Sequence, residues 1–256
     1  MAAQPPQPQI HIAEPSVKSL LLEMRFNGQP LATGTGFVTM APRGPVLITN
    51  RHNVTGRNQE TGQPLSRTGG VPNEIVILHN RANQLGQWLS KLEPLYNNDA
   101  ALWIEHPHLG ARADFVALPL TQVDDVQFYP YTLGVGDPAI LVAPAEVVSV
   151  VGFPFGLTAG GCLAVWATGF VATDHDVNYA DLPVFLIDCK SRPGQSGSAV
   201  IAHRTGGAVA TEQGVMVGGG VMTRFLGIYS GRINTESDLG FVWKAAAIRE
   251  LVGTLQ

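Results

Sequence analysis

Residues 193–198 read Pro-Gly-Gln-Ser-Gly-Ser, and residues 48–54 read Ile-Thr-Asn-Arg-His-Asn-Val. Glycine reaches positive φ without a Cβ penalty, so glycines on both sides of Ser196 build a tight turn. Such a turn pushes the serine hydroxyl outward and leaves the N–H groups of Gly194 and Ser196 free to face one point. Converging N–H donors stabilise the oxyanion of an acyl-transfer transition state, each worth about 10²–10³ in rate. A serine nucleophile also needs a base to take its proton, and His52 is the best-placed candidate upstream. Taken singly the segments stay ambiguous. Gly-Gln-Ser-Gly also suits a surface turn, and His52 a satisfied histidine at a strand end.

A third segment, Ala-Arg-Ala-Asp-Phe-Val-Ala-Leu-Pro-Leu at 111–120, places Asp114 at the start of an apolar, strand-like run. A buried carboxylate there can fix the tautomer of a histidine and stabilise its imidazolium. Asp99, in Asn-Asp-Ala-Ala-Leu-Trp, also precedes an apolar run and is the competing acid.

The order His52, Asp114, Ser196 resembles that of the chymotrypsin-like (trypsin-fold) serine peptidases, and most of all the bacterial branch with the HtrA-type and glutamyl endopeptidases. The resemblance rests on Gly34-Thr35-Gly36-Phe37, Thr49-Asn50-Arg51-His52, Asp114 to Leu118, Gly152-Phe153-Pro154-Phe155-Gly156 and Pro193-Gly194-Gln195-Ser196-Gly197. It runs from 34 to 198, with Leu226 to Gly231 extending it. Gly152 to Gly156 reads equally well as a loop flanking the site or as a plain strand-end turn. The resemblance implies an all-β fold of two six-stranded Greek-key barrels, the active site in the cleft between them, and a short C-terminal helix. It implies a trypsin-like serine peptidase, a hydrolase of protein or peptide substrates that needs neither cofactor nor metal. Ser196 would be the nucleophile, His52 the base, Asp114 its orienting acid, and the Gly194 and Ser196 amides the oxyanion hole. The substrate pocket would be lined by Lys190, Ser191, Tyr229, Ser230, Gly231 and Arg232. The competing class is a catalytically idle trypsin-fold module used for binding or scaffolding.

This chain departs from trypsin itself in two ways. Gln195 stands where trypsin has the aspartate that pairs with a freed N-terminal ammonium, and no Ile-Val-Gly-Gly start is visible. Activation by that route is not expected, nor is peptide sensing by a PDZ-like extension; a regulatory protein partner stays unidentified. No carboxylate lies where trypsin's pocket floor has one, which disfavours cleavage after Lys or Arg. Lys190 and Arg232 would attract an acidic side chain if they face the pocket; if they point to solvent, as long cations usually do, Tyr229 leaves a shallow apolar pocket.

Other chemistries fit less well. An α/β-hydrolase runs Ser, acid, His, whereas the one histidine after Ser196 is His203, with no acid between them. Neither Cys162 nor Cys189 lies in a turn like that of Ser196, and both read as small buried hydrophobes. Two cysteines allow at most one disulfide, which is not a cystine-stapled scaffold. Glu105-His106-Pro-His108 does not match a metal-ligand spacing. Gly214 to Gly220 lacks the Lys-Ser/Thr ending of a phosphate loop and reads as a mobile connection between strands.

With 45% apolar and 14% charged residues the 256-residue chain is globular, and a net charge of −4 gives no basic field for nucleic acid. No run of about 18 apolar residues suggests a membrane span. The Met-Ala-Ala-Gln-Pro-Pro-Gln-Pro-Gln start has no secretory h-region, so a cytoplasmic location is expected. The 29 glycines and 18 prolines imply many turns. The pattern predicts a flexible arm over 1–15, a first barrel over 16–120, an inter-barrel linker over 121–137, a second barrel over 138–243 and a helix over 244–256.

Overall fold

The computed structural model describes residues 10–66, 68–234 and 236–255. Most of the predicted flexible arm, residues 1–9, lies outside the described residues, as do Arg67 and the last residue of the predicted helix. The fold is the expected all-β, two-barrel one with a short C-terminal helix. A short helix α1 (Pro15–Lys18) leads into β1 (Ser19–Phe26), β2 (Gln29–Ala41) and β3 (Gly44–Thr49), and a second short helix, α2 (Arg51–Thr55), follows. Then come β4 (Glu74–Arg81), β5 (Trp88–Pro94), β6 (Tyr96–Asn97), β7 (Ala100–Ala101), β8 (Ile104–Glu105), β9 (Val116–Pro119) and β10 (Val126–Gln127). The second half holds β11 (Val147–Gly152), β12 (Val165–Val171), β13 (Val184–Asp188), β14 (Ala199–Arg204), β15 (Gly207–Thr211), β16 (Gly214–Gly218), β17 (Met222–Arg232) and β18 (Leu239–Lys244), and ends with helix α3 (Ala245–Gly253).

In the second half six strands close into a barrel in the order β11-β12-β13-β18-β17-β14. The first half is an eight-stranded antiparallel sheet, ordered β10-β4-β1-β2-β3-β9-β8 with β5 on β4. It exceeds the predicted six because two-residue pieces, β8 and β10, extend it. Gly214–Gly218 is not a loose connection. It is β16, paired in register with β15 from Gly207↔Gly218 to Thr211↔Gly214, and its Val215 and Val217 side chains are exposed.

Three apolar cores explain why the central strands read as unbroken hydrophobic runs rather than alternating ones. Successive side chains of a strand point to opposite faces, and here both faces are covered. In β2 Phe37 joins the core at the seam between barrels while Val38 joins that of the first barrel. In β14 Ala199 and Ile201 face the seam while Val200 and Ala202 fill the second barrel. Helix α3 adds Ala247, Ile248, Leu251 and Val252 to the seam, the face its spacing predicts. Cys189 is buried as expected, whereas Cys162 is only half-buried; both are free thiols.

One buried titratable group links this packing to pH. His79 in β4 is buried with its ring edge-on to Phe128, and burial, assisted by the Lys91 charge, lowers its pKa from 6.5 to about 4. The unfolded chain therefore binds this proton at a higher pH than the folded one. The stability His79 provides is complete above pH 6.5 and is lost as pH falls from there toward about 4. Urea titrations of His79→Phe should show a flatter pH dependence over that window. An unchanged slope would remove His79 as its cause.

Candidate active site

Asp114, just before β9, is the hub of the site and is 2% exposed. One carboxylate oxygen accepts the backbone N–H of His52 at 3.0 Å, and the other faces His52 Nδ1 at 2.7 Å. The same second oxygen accepts the hydroxyl of Ser230 from β17. The carboxylate thus anchors the first turn of α2 as well as the imidazole that α2 carries. Asn50, which precedes α2, leaves that turn uncapped and donates its side-chain amide to the Asp114 carbonyl at 2.6 Å. Gly56 closes α2 in the left-handed region at φ 64°, where its N–H reaches the His52 carbonyl at 3.0 Å. Asp99 lies elsewhere. With Asn98 it forms the exposed turn of the β6–β7 hairpin, and both residues have positive φ.

The Ser196 turn is tied to the first barrel through its backbone. The Ser196 carbonyl accepts the Thr35 N–H at 2.9 Å and the Asn53 side-chain amide of α2 at 3.2 Å. Pro193 and Gly194 occupy the corners of a turn closed by the Gln195 N–H on the Arg192 carbonyl at 3.2 Å, with Gly194 at φ 92°. Proline followed by a positive-φ glycine is the type II pattern. Gln195 is buried, and its side-chain oxygen accepts the Arg192 N–H at 2.7 Å, holding the turn from inside. Among the described residues neither the Gly194 N–H, the Ser196 N–H nor the Ser196 hydroxyl has a hydrogen-bond partner. The structure therefore makes the His52–Asp114 link directly, and among the described residues no hydrogen bond joins His52 to Ser196.

Beside this turn Tyr229 is buried, its hydroxyl on that of Ser191 and its ring against Gly240, where a Cβ would be too close. Ser191 is buried as well, while Lys190 and Arg232 are exposed and Ser230 and Gly231 half-buried. Ser230, predicted to line the substrate pocket, directs its hydroxyl to Asp114. On the other flank an apolar cavity of about 60 Å³ has His52, Leu31, Leu65 and Pro72 in its walls. Glu105, His106 and His108, weighed above as ligands, have other partners. Glu105 pairs with Arg51 at 2.8 Å, and both histidine rings face Glu250 of α3 at 3.3–3.4 Å. Among the described residues no group of three or more His, Cys, Asp or Glu could hold a metal ion.

Sequence reasoning gave no role to Thr35 or Asn53, which dock the Ser196 turn. Thr35 and Asn53 both sit in quoted stretches, so a signal existed for each.

The two barrels, with a histidine–carboxylate pair and a glycine-flanked serine drawn from both, define a trypsin-fold protein. The pattern of the trypsin-like peptidase domain matches residues 34–211, and the chain belongs to that family of hydrolases. Solved structures agree on the fold. A serine endoprotease from Yersinia pestis superposes with a TM-score of 0.53 at 16% identity, covering 96% of this chain and 68% of its own. A thermostable serine protease, AL20, from an extremophilic microorganism superposes with a TM-score of 0.54 at 11% identity, covering 95% and 98%. The comparison with curated proteins gave no match.

Proposed function

We propose that the protein is a serine endopeptidase that hydrolyses peptide bonds through an acyl-enzyme. The observation that carries this is the 2.7 Å contact between His52 Nδ1 and the buried Asp114 carboxylate. A carboxylate only accepts, so Nδ1 carries the proton and Nε2 is left as a base. Ser196 Oγ attacks the scissile carbonyl carbon and its proton passes to Nε2. The Gly194 and Ser196 N–H groups hold the oxyanion. Collapse breaks the C–N bond, and His52 returns the proton to the departing amine. Water repeats the sequence on the ester, releasing the acid and restoring Ser196.

A fluorophosphonate probe tests the reading, since it needs an activated serine and not merely the fold. Labelling at Ser196 supports it. Absence of labelling, with no peptide hydrolysis, would leave the idle binding module.

The preferred residue on the acyl side of the cleaved bond is a small one. Tyr229 is buried in the core of the second barrel with its hydroxyl on Ser191, and the exposure of Lys190 and Arg232 weakens the case for an acidic one. In a denatured proteome, mass spectrometry of the products should find cleavage mainly after Gly, Ala or Ser, with rates after Ala at least about tenfold above those after Phe. Dominant cleavage after Lys, Arg or Glu would overturn this.

A further inference from the structure

We propose that the outer edge of β16 is a dimerisation surface, to which a second copy of this chain adds its own β16, antiparallel about a two-fold axis at Met216. β15 and β16 form a separate two-stranded sheet, and among the described residues no strand pairs the other edge of β16. A two-residue loop closes on a hydrogen-bonded pair, so Thr211↔Gly214 is one, and bonded and non-bonded pairs alternate from there along the ribbon. Ala210↔Val215 and Ala208↔Val217 are therefore non-bonded pairs, whose N–H and C=O groups point outward. On the β15 side the outward Ala210 carbonyl is used: it accepts the Leu141 N–H at 2.9 Å. On the β16 side the N–H and C=O groups of Val215 and Val217 have no partner among the described residues.

This edge is complementary to itself. Residues 214–218 read Gly-Val-Met-Val-Gly, the same in both directions. Pairing centred on Met216 sets Val215 against Val217 of the second copy, and the outward groups of these valines meet as N–H···O=C bonds on both sides of the axis. Charge agrees with a second copy as the occupant. No charged residue lies between Glu212 and Arg224, which pair with each other at 2.7 Å. The register also places Glu212 opposite Gly220 of the second copy, so no like charges meet. Exposed edges are usually blunted by lysine, proline or a bulge, and β16 carries none of these. Its side chains fit the same reading. Val209 of β15 is buried in the second barrel, whereas Val215 and Val217, on the opposite face of the ribbon, are 69% and 83% exposed. Pairing sets these valines side by side as β-branched cross-strand neighbours. A contact of one short strand per chain is small, so the dimer is weak and concentration-dependent.

Sedimentation velocity on the full chain tests this. Wild type should pass from monomer to dimer with a dissociation constant on the order of 10–100 µM, and Val217→Lys should raise it at least about tenfold. Amide exchange should report the register. With rising concentration Val215 and Val217 should gain protection, while Met216, already bonded to Val209 across the ribbon, should not. Cross-linking adds a measurement that does not depend on the lysine variant. On mild oxidation Met216→Cys should form a disulfide across the axis, because facing Cα atoms of a non-bonded pair lie about 4.5 Å apart, within disulfide reach. Val217→Cys, offset along the strand from its own copy, should not. A chain still monomeric at about 1 mM, a dimer indifferent to Val217→Lys, or equal cross-linking at 216 and 217 would overturn the proposal. So would a monomeric chain whose Val215 and Val217 amides are protected by an added valine-threonine strand peptide, which would give the edge to a different protein. Failure of the peptidase reading leaves these outcomes untouched, since none of them depends on Ser196.

Discussion

Ser196→Ala is expected to lose nearly all hydrolytic activity, a fall in kcat on the order of 10⁶, together with all fluorophosphonate labelling. The fold should survive, because everything the structure takes from Ser196 comes from its backbone. Its carbonyl holds Thr35 and Asn53, while its hydroxyl has no partner among the described residues. A thermal melt within a few degrees of wild type is the accompanying measurement. His52→Ala should cost a similar amount and the double variant little more, since members of such a unit fail together. A residual rate about 10³–10⁴ above that in water should remain, supplied by the oxyanion donors and substrate binding. Full activity in Ser196→Ala would sink the assignment. The structure offers no easy substitute nearby: Ser191 is buried with its hydroxyl on Tyr229, and Ser198 is buried against Gly152.

How far the sequence carried this reading depends on the length scale of each signal. Strands such as β3, β9 and β14 were legible because burial on both faces leaves continuous runs, Val46 to Thr49 or Ala199 to Ala202. The two-residue strands β6 to β8 and β10, and the single turn of α2, span too few positions for any periodicity to register. The β15–β16 ribbon was missed because glycines at 214 and 218–220 read as breakers, and its pairing depends on register rather than composition. The same division runs through the site. His52, Asp114 and Ser196 carry motifs and an order. Ser230 on Asp114 and Thr35 on Gly194 join segments 116 and 159 residues apart, and no local pattern encodes such contacts. Tyr229 shows the limit well: its residue type suggested a shallow pocket, but only packing shows its ring against Gly240 and its hydroxyl on Ser191.

Asp114→Asn should lower kcat by about 10⁴, and the contacts of this carboxylate say why the loss is a matter of tautomer. Asp114 receives three donors, the His52 backbone N–H, the His52 ring at Nδ1 and the Ser230 hydroxyl, on two acceptor oxygens. Asparagine offers one acceptor oxygen and one NH₂. If its oxygen faces Nδ1, its NH₂ is driven against the His52 backbone N–H, two donors in contact, and that N–H cannot change. The amide therefore turns to give its oxygen to the backbone and its NH₂ to Nδ1. Nδ1 must then be unprotonated, the proton moves to Nε2, and the ring can no longer take one from Ser196. The nitrogen NMR signals of the His52 ring should report this exchange, with Nε2 passing from acceptor to protonated while the melting temperature changes little. Asp99→Asn, on its exposed turn, should leave rate and ring signals unchanged. Wild-type turnover in Asp114→Asn, or a matching loss in Asp99→Asn, would transfer the orienting role away from Asp114.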